Sequence, residues 1–408
     1  MGEGTRVVIT GMGAVTPIGI GVKPYWRNLI SGVSGVAPFT HIAADNLPVR
    51  FGGEVPDADS LLPRQQASKM ARFTQFAYLA AKEAMEDSGL HPHPRRTGIT
   101  MGTAMDGILE ICEGQDSFTR TGRHLSPFFV PKALGNMAAC QIAMAYDIQG
   151  PSFTLNTACA SGGDAVTTAV LLLRSGMADS VLAVGGESMA CAPVISSLNA
   201  AGALSRRNDD PIHASRPFDA DRDGFVIGEG GGALVLETEA HAKARGAFIY
   251  GEILGCGNNN DAYHLTSPRP HGEGGAACMR LALMDAGLNP EQIGYINAHG
   301  TATRVGDACE CDAVRTVFGS YASQIPVSST KGATGHLMGA GGITELIACV
   351  LGIREGVLPP TLNLDHIDPA CDLNHVPNVA REANYDYAMS NAFGFGGQNS
   401  SIIVGKYK

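Results

Sequence analysis

The sequence has no hydrophobic run long enough to cross a membrane. Its longest helical apolar stretch, around residues 165–173, falls far short of the roughly 20 residues that span a bilayer. The four-residue apolar run that follows Arg6 is also too short for the core of a secretory signal. We therefore expect no membrane as a partner, and a place in the cytoplasm or in an organelle matrix.

Positive charge is in short supply as well. The chain carries 29 Lys and Arg residues against 39 Asp and Glu residues, for a formal net charge of −10, and no charged tail stands out. This balance argues against nucleic acid and anionic membranes as steady partners. An acidic partner protein would have to dock on a local basic patch.

The ten cysteines do not form a framework of close pairs. A chain of 408 residues with 44% hydrophobic content can bury one large core or two fused cores without disulfides. The pair Cys309 and Cys311 has no second Cys or His pair at metal-binding spacing. We expect reduced cysteines, most of them small buried hydrophobes, and no metal.

Glycine, by contrast, is abundant at 52 residues, and short apolar runs alternate with helical stretches, as in layered α/β proteins. One series of motifs occurs twice. A helical pattern at 71–88 precedes a strand and the triplet Gly-Thr-Ala at 102–104. A helical pattern at 275–286 precedes a strand at 293–297 and the same triplet at 300–302. This repetition indicates a duplicated α/β unit.

The later part of each unit repeats too. The predicted strand 153–158 leads into Cys159 and a Gly-rich helix start, and the strand pattern 326–330 leads into His336 and a similar helix start. Pairing of the two units about a pseudo-twofold axis would place these helix starts side by side.

The repeat predicts a first half at 1–245 and a second half at 246–408. About 20 additional residues of the first half fall within 105–152. An insertion there suits a lid or a subunit contact.

Cys159 is the strongest candidate nucleophile. Residues 157–162, Thr-Ala-Cys-Ala-Ser-Gly, place it on a tight strand-to-helix turn, where free helix N–H groups favour a thiolate. His299 and His336 lie in loops of small residues. For a cysteine or histidine taken at random, a structural role is the more common one. One cysteine with two histidines, however, suits thioester exchange followed by stabilisation of an enolate.

Lys331 and Glu345 flank the His336 segment. Glu345 lies in an apolar helix and needs a buried partner there unless it faces solvent. The Gly-rich run 228–232 leads into a predicted strand at 233–237 rather than a helix, so we reject a dinucleotide site. The Gly-Phe-rich segment 391–397 predicts a mobile or sharply bent loop.

Taken together, the motifs at 157–162, 297–301, 331–336 and 391–397 resemble those of elongating β-ketoacyl-acyl-carrier-protein synthases, which are thiolase-fold condensing enzymes. The resemblance covers essentially 6–404. It implies a five-layered α/β/α/β/α fold of two duplicated halves and a homodimer. It also implies acyl- and malonyl-loaded acyl carrier protein as partner, and no cofactor apart from the phosphopantetheine arm that the carrier delivers.

The resemblance further implies decarboxylative Claisen condensation of malonyl-carrier protein with an acyl chain held on Cys159, which lengthens a fatty acid by two carbons. His299 and His336 would support decarboxylation. The remaining implied roles are an oxyanion hole from the backbone N–H groups of Cys159 and Phe395, a buried ordering pair of Lys331 and Glu345, contacts of Thr301 and Thr303 with the pantetheine arm, and substrate contacts of Ile108 and Phe393.

Three rivals share the fold. A priming synthase resembles a Cys-His-Asn set, whereas position 336 is His. A biosynthetic thiolase places a second cysteine where this chain has Phe393 and Phe395. A polyketide or specialised-lipid ketosynthase with the same chemistry stays open as the alternative.

Overall fold

The computed structural model describes residues 4–408 and contains strands throughout both halves of the chain. They are β1 (Val7–Thr16), β2 (Gly19–Ile20), β3 (Val36–Pro38), β4 (Phe51–Gly53), β5 (Thr97–Gly102), β6 (Ser152–Leu155), β7 (Ser180–Glu187), β8 (Gly230–Thr238), β9 (Gly251–Asn260), β10 (Tyr295–Asn297), β11 (Pro326–Ser328), β12 (Val357–Leu358), β13 (Asn374–His375), β14 (Arg381–Glu382), β15 (Tyr387–Phe393) and β16 (Gln398–Gly405).

The helices alternate with these strands. They are α1 (Val22–Ile30), α2 (Arg64–Ala67), α3 (Arg72–Ser88), α4 (Ile108–Thr121), α5 (Phe129–Ala133), α6 (Met137–Tyr146), α7 (Ser161–Arg174), α8 (Ala192–Ala200), α9 (Glu239–Ala244), α10 (Glu273–Ala286), α11 (Arg304–Phe318), α12 (Lys331–Thr334) and α13 (Gly341–Glu355). Within residues 4–408, none of them has both the length and the apolar character that a bilayer crossing requires.

The main strands form two units with the same connectivity. The first has the order β6-β5-β7-β8-β1 and the second the order β11-β10-β15-β16-β9. In each unit the first three strands are parallel to one another, and the fourth strand is antiparallel to both of its neighbours. The units meet where β1 pairs with β9. The predicted duplication of the fold is therefore confirmed. The predicted boundary at 245/246 lies between α9 and β9.

Five layers result from the way the helices cover the two strand units, each of which forms one sheet layer. Helix α3 packs on β1, β7 and β8, while α10 packs on β9 and β16. Helices α7 and α13 lie between the sheets and contact strands of both. Every residue of α13 from Gly341 to Ile353 is buried, as expected for a helix that is apolar on all sides. The predicted α/β/α/β/α architecture is confirmed.

Local predictions agree with the structure except at element ends. The helical patterns at 71–88 and 275–286 are α3 and α10, and the Gly-rich run leads into β8 as predicted. The strand predicted at 153–158 ends at Leu155, because residues 158–160 form a 3₁₀ turn in which Ala158 has a φ of 52°. That early turn sets the position of Cys159.

The additional residues of the first half fold into α4, α5 and α6. Helix α6 packs against α3, whereas α4 and α5 pack on each other. Phe118, Phe128 and Val130 of this segment are exposed, so the insertion presents an apolar surface outside the core. Its role as a lid or subunit contact stays a prediction at this point.

Candidate active site

Three segments that are distant in sequence bring Cys159, His299 and His336 together. Cys159 lies in the 3₁₀ turn before α7, His299 follows β10, and His336 lies between α12 and α13. The Cys159 sulfur is 3.0 Å from Nε2 of His336. The rings of His299 and His336 are edge-to-face, with their centroids 5.3 Å apart. The arrangement places one sulfur and two imidazoles in reach of one bound thioester.

The turn around Cys159 is held by the side chain of Ser161. Its hydroxyl oxygen accepts the backbone N–H of Thr157 at 2.9 Å and lies 2.7 Å from the carbonyl oxygen of Ala158. Gly162 allows α7 to approach the neighbouring turn, because a Cβ there would lie 2.7 Å from the carbonyl oxygen of Gly339. Small residues next to the nucleophile thus permit the close packing of the two helix starts.

His336 is oriented by backbone groups on both sides. Its own N–H donates to the carbonyl of Val226 at 2.7 Å, and the N–H of Met338 donates to Nδ1 at 3.3 Å. Because Nδ1 accepts, Nε2 carries the ring proton and points it at the Cys159 sulfur. Burial, and then the positive charge of Lys331, hold the pKa of His336 well below 6.5. The imidazole is therefore a neutral N–H donor.

His299 is fixed through its backbone. Its N–H and that of Gly300 donate to the two carboxylate oxygens of Glu310, at 2.9 and 2.8 Å. Burial, followed by the charges of Lys331 and His336, lowers the pKa of His299 well below 6.5. Its buried Nδ1 has no hydrogen-bond partner among residues 4–408. An unpaired buried polar atom costs free energy. A substrate that forms a hydrogen bond with this nitrogen would remove that cost, so the neutral ring is available for substrate binding.

Glu310 and Asp307 are site-supporting residues that the sequence reasoning missed. Both lie on α11, and Asp307 accepts the N–H groups of Ala302 and Phe218 at 3.1 and 2.8 Å. Burial raises the pKa of Glu310, and it raises that of Asp307 to about 7. A detectable signal existed, because two carboxylates three residues apart share one helix face with buried apolar residues.

The helix start alone does not make Cys159 a thiolate. Burial raises the pKa of the thiol to about 12, and the charge of Lys331 and a hydrogen bond from the N–H of Phe395 only partly oppose it. The protonated thiol is therefore the resting form at neutral pH. The N–H of Phe395 and that of Cys159 itself both act to lower the pKa of the thiol, so both favour negative charge at this position.

Lys331 and Glu345 form a buried ion pair, in which the ammonium donates to the carboxylate. The two side chains are 2% and 5% exposed, so the solvent-facing alternative for Glu345 is wrong. Burial raises the pKa of Glu345, while Lys331 acts to lower it. The ammonium also keeps both imidazoles neutral, which links this pair to the protonation state of the site.

A cavity of about 780 Å³ is lined by Cys159, His299 and His336, whereas Lys331 and Glu345 lie behind its wall and do not line it. Its volume is in the range of small-molecule sites. Four further predicted residues line it: Thr301, Thr303, Phe393 and Phe395. The hydroxyls of Thr301 and Thr303 lie 3.1 Å apart, and Phe395 is 38% exposed. Ile108 does not line the cavity; it begins α4 and packs on the apolar cluster that includes Cys159.

Cys159, His299 and His336 also form the group of potential metal ligands found in residues 4–408, with ligand atoms within 4.8 Å of one another. A cation there would occupy the sulfur and the imidazole nitrogens that thioester chemistry needs, and the nearby ammonium of Lys331 would oppose it. The absence of a metal stays a prediction.

Family models match most of the chain. The model described as "Beta-ketoacyl synthase, N-terminal domain" matches residues 4–242, and the one described as "Beta-ketoacyl synthase, C-terminal domain" matches residues 250–365. The first match contains Cys159, and the second contains both histidines. The two matched regions together cover most of the cavity wall, but not its part at Phe393, Gly394, Phe395 and Asn399.

Individual proteins agree with these matches. The 3-oxoacyl-[acyl-carrier-protein] synthase 2 of Coxiella burnetii is 44% identical over 411 residues, which is 99% of each chain. A solved β-ketoacyl synthase from Burkholderia phymatum superposes with a TM-score of 0.91 at 34% identity, over 99% of this chain and 100% of that one. A type II PKS ketosynthase, solved with its acyl-carrier protein and bound to the hexaketide, gives a TM-score of 0.92 at 34% identity, with the same coverage.

Proposed function

The chain belongs to the β-ketoacyl synthase family, and from this premise we propose that Cys159, His299 and His336 together carry out a decarboxylative condensation. The protein is a condensing acyltransferase of the β-ketoacyl-acyl-carrier-protein synthase type, which elongates fatty acids by two carbons. The observation that carries the residue assignment is the thiol 3.0 Å from a neutral imidazole N–H, with a second neutral imidazole beside it.

The first step is acylation of Cys159. The sulfur adds to the carbonyl carbon of the acyl thioester, and its proton passes to the departing carrier thiol. The N–H groups of Cys159 and Phe395, which both act to lower the pKa of the thiol, would hold the oxyanion of the tetrahedral intermediate. The N–H on Nε2 of His336 stabilises the negative charge that the sulfur carries as its proton leaves, before that charge moves to the carbonyl oxygen.

The second step is decarboxylation of the malonyl thioester. Its carbonyl oxygen would accept hydrogen bonds from the two neutral imidazoles. Once Cys159 is acylated, its thiol proton is gone, and the imidazoles are the N–H donors that remain next to the sulfur. The bond to the malonyl carboxylate breaks, carbon dioxide leaves, and the electron pair moves into an enolate. Neutral imidazoles stabilise this oxyanion without transferring a full proton to it.

The third step forms the new carbon–carbon bond. The enolate carbon attacks the acyl carbonyl on Cys159, whose oxygen again lies near the two backbone N–H groups. The sulfur leaves as a thiolate and regains a proton. The product is a β-ketoacyl chain, two carbons longer than the primer, on the second carrier.

Acyl carrier protein is the proposed partner, and it brings its own phosphopantetheine arm. A ketosynthase of similar structure has been solved in complex with its acyl-carrier protein. Thr301 and Thr303 line the cavity with hydroxyls that suit the amide groups of the arm. No further cofactor takes part in the proposed steps, and cytoplasmic placement stays a prediction from the sequence.

We further propose a homodimer through the edge strand β6 and the neighbouring insertion. An edge strand leaves a row of unpaired backbone groups open to a second chain. The same surface exposes several large apolar side chains, namely Ile111, Phe118, Phe128, Val130, Leu134 and Phe153.

Light scattering on the purified protein is expected to give twice the 42.4 kDa mass of one chain. The substitution Phe153→Lys should shift the measured mass towards that of the monomer, because the lysine places a charge in the proposed interface. The control Met284→Lys, on the outer helix α10 where Met284 is 74% exposed, should leave the mass unchanged. A monomeric wild-type protein would contradict the proposal.

The alternative, a polyketide or specialised-lipid ketosynthase, is favoured by one observation. Ketosynthases of that kind superpose over the whole chain, at 34% identity. The 42–44% identity to synthases named for 3-oxoacyl-carrier products favours the fatty-acid reading. A thiolase reading is more distant, since Phe393 and Phe395 occupy the positions expected for its second cysteine.

The test is a ladder of acyl primers on acyl carrier protein, supplied with malonyl-carrier protein. We expect an acyl group on the peptide that contains Cys159, and products that are two carbons longer and carry one β-keto group, as read by mass spectrometry. Repeated extension to unreduced poly-β-keto chains would support the polyketide alternative instead. No acyl adduct with any primer would indicate a carrier-binding scaffold without catalysis.

A further inference from the structure

Glu187 is a completely buried carboxylate that none of the proposed steps uses. It is the last residue of β7, with 0% exposure. No Lys or Arg in residues 4–408 forms an ion pair with it. A buried carboxylate without a cation is costly unless hydrogen bonds compensate it.

Three backbone N–H groups from two separate segments supply that compensation. The N–H of Ala104 donates to the Glu187 carboxylate at 2.7 Å and that of Met105 at 3.3 Å. The N–H of Gly339 donates to it at 3.2 Å. Ala104 and Met105 follow β5 in the first half, while Gly339 belongs to the turn before α13 in the second. One carboxylate therefore ties the two halves together.

The tied segments are walls of the cavity. Ala104, Met105 and Met338 line it, as does Met189, two residues beyond Glu187. Met338 has a φ of 45°, and its sulfur lies 3.7 Å from that of Cys159. A left-handed conformation at a large residue persists only where the surroundings enforce it. The hydrogen bond from the next residue, Gly339, to Glu187 is one such constraint.

We propose that Glu187 is a positioning residue, which sets the shape of the acyl-binding wall beside Cys159 by holding the 104–105 segment against the 338–340 turn. The inference rests on the proposed function. Without the carboxylate, two segments lose a shared acceptor, and the wall relaxes on both sides of the nucleophile. Small misplacements of reacting groups are enough to slow an enzymatic step by about 100-fold.

Glu187→Gln is the variant that tests this. It keeps the size of the side chain and one acceptor oxygen, but it turns an NH₂ group towards N–H donors. We expect the second-order rate of acyl transfer from acyl-carrier protein to Cys159 to fall about 10- to 100-fold. The loss should be unequal across a ladder of short and long acyl primers, because the wall contacts the chain.

Glu83→Gln is the matched control. The Glu83 carboxylate on α3 accepts the N–H groups of Ala14 and Val22 at 2.9 and 2.8 Å, and burial raises its pKa as it does for Glu187. Glu83 does not line the cavity. We expect this variant to lose thermal stability yet to keep the primer ranking and the acyl-transfer rate of the wild type within about twofold.

Alkylation of Cys159 by iodoacetamide distinguishes a misplaced cavity wall from a general loss of folded structure around the thiol. Burial is the main cause of the raised pKa of the Cys159 thiol, and the Glu187 carboxylate adds to it. Removing that carboxylate does not make the thiol less acidic, so Glu187→Gln should alkylate at least as fast as the wild type while it acylates more slowly. Equal changes in both Gln variants, or an unchanged primer ranking in Glu187→Gln, would overturn the proposal.

Two further results keep the test decisive. If Glu187→Gln does not fold, Glu187→Asp retains the acceptor oxygens on a shorter side chain and is expected to show a smaller loss with the same change in ranking. An Asp variant with wild-type ranking and rate would count against the proposal. If the wild-type protein itself forms no acyl-Cys159, the proposed function fails, and that result is visible before any variant is made.

Discussion

Replacing Cys159 with alanine is expected to leave a folded protein that transfers no acyl group. The substitution removes the only atom that accepts the acyl chain in the proposed mechanism, so condensation should fall by about 10⁴-fold or more. The side chain is small and buried, and Ala158 and Ala160 already flank it, so the free energy of unfolding should change by no more than about 1–2 kcal/mol. Thermal melting and mass spectrometry of the carrier-bound product measure the two effects.

The same variant should still release carbon dioxide from malonyl-carrier protein, because both imidazoles remain. The control is Cys278→Ala, a substitution of another fully buried cysteine, whose sulfur contacts the carbonyl of Gly257 at 3.1 Å outside the cavity. It should condense at the wild-type rate. Full condensing activity in Cys159→Ala would remove the nucleophile from the mechanism altogether.

Replacing His299 or His336 with alanine is expected to slow decarboxylation strongly while part of the acylation survives. Each substitution deletes one neutral donor to the enolate oxygen, a loss of about 10²- to 10³-fold. Acylation depends more on the N–H groups of Cys159 and Phe395, which both variants keep. Carbon dioxide release and the Cys159 adduct should be measured separately, since a single condensation rate would mix them.

The two histidines should differ in degree. Nε2 of His336 lies 3.0 Å from the sulfur, so His336→Ala should slow acylation more than His299→Ala does. His375→Ala is a suitable control, because His375 is also buried, with 5% exposure, and stacks on Phe218 away from the cavity. It should keep both partial reactions, even at some cost in stability. Unimpaired condensation in either site variant would refute the enolate role.

Much of the fold was predictable because its signals are local and occur twice. The helical patterns that became α3 and α10, each followed by a strand and a Gly-Thr-Ala triplet, are short-range features of the chain. Their repetition indicated duplication before any contact was known. The strand before Cys159 was predicted too long, since nothing in residues 155–158 marks a positive φ at Ala158.

The supporting carboxylates were missed for a different reason. Glu187 and Glu310 bind backbone N–H groups of loops that lie far away in sequence or on another element. Glu310 left one signal, because it shares a face of α11 with Asp307 and buried apolar residues. That signal does not name the partner, since a backbone N–H is present at almost every residue and any of them can point at a buried acid. Glu345 was easier, because an acid in an apolar helix demands a partner and Lys331 was near in sequence.

The motifs of the chain specify the chemical groups of the site and the architecture that gathers them: one sulfur and two imidazoles at the ends of repeated strand-to-helix units. The protonation of these groups follows from the folded packing. The N–H of Met338 assigns the His336 proton to Nε2, and burial by both halves keeps the imidazoles neutral and raises the pKa of Cys159 to about 12. Desolvation depends on everything packed around a group, and no stretch of sequence contains that information.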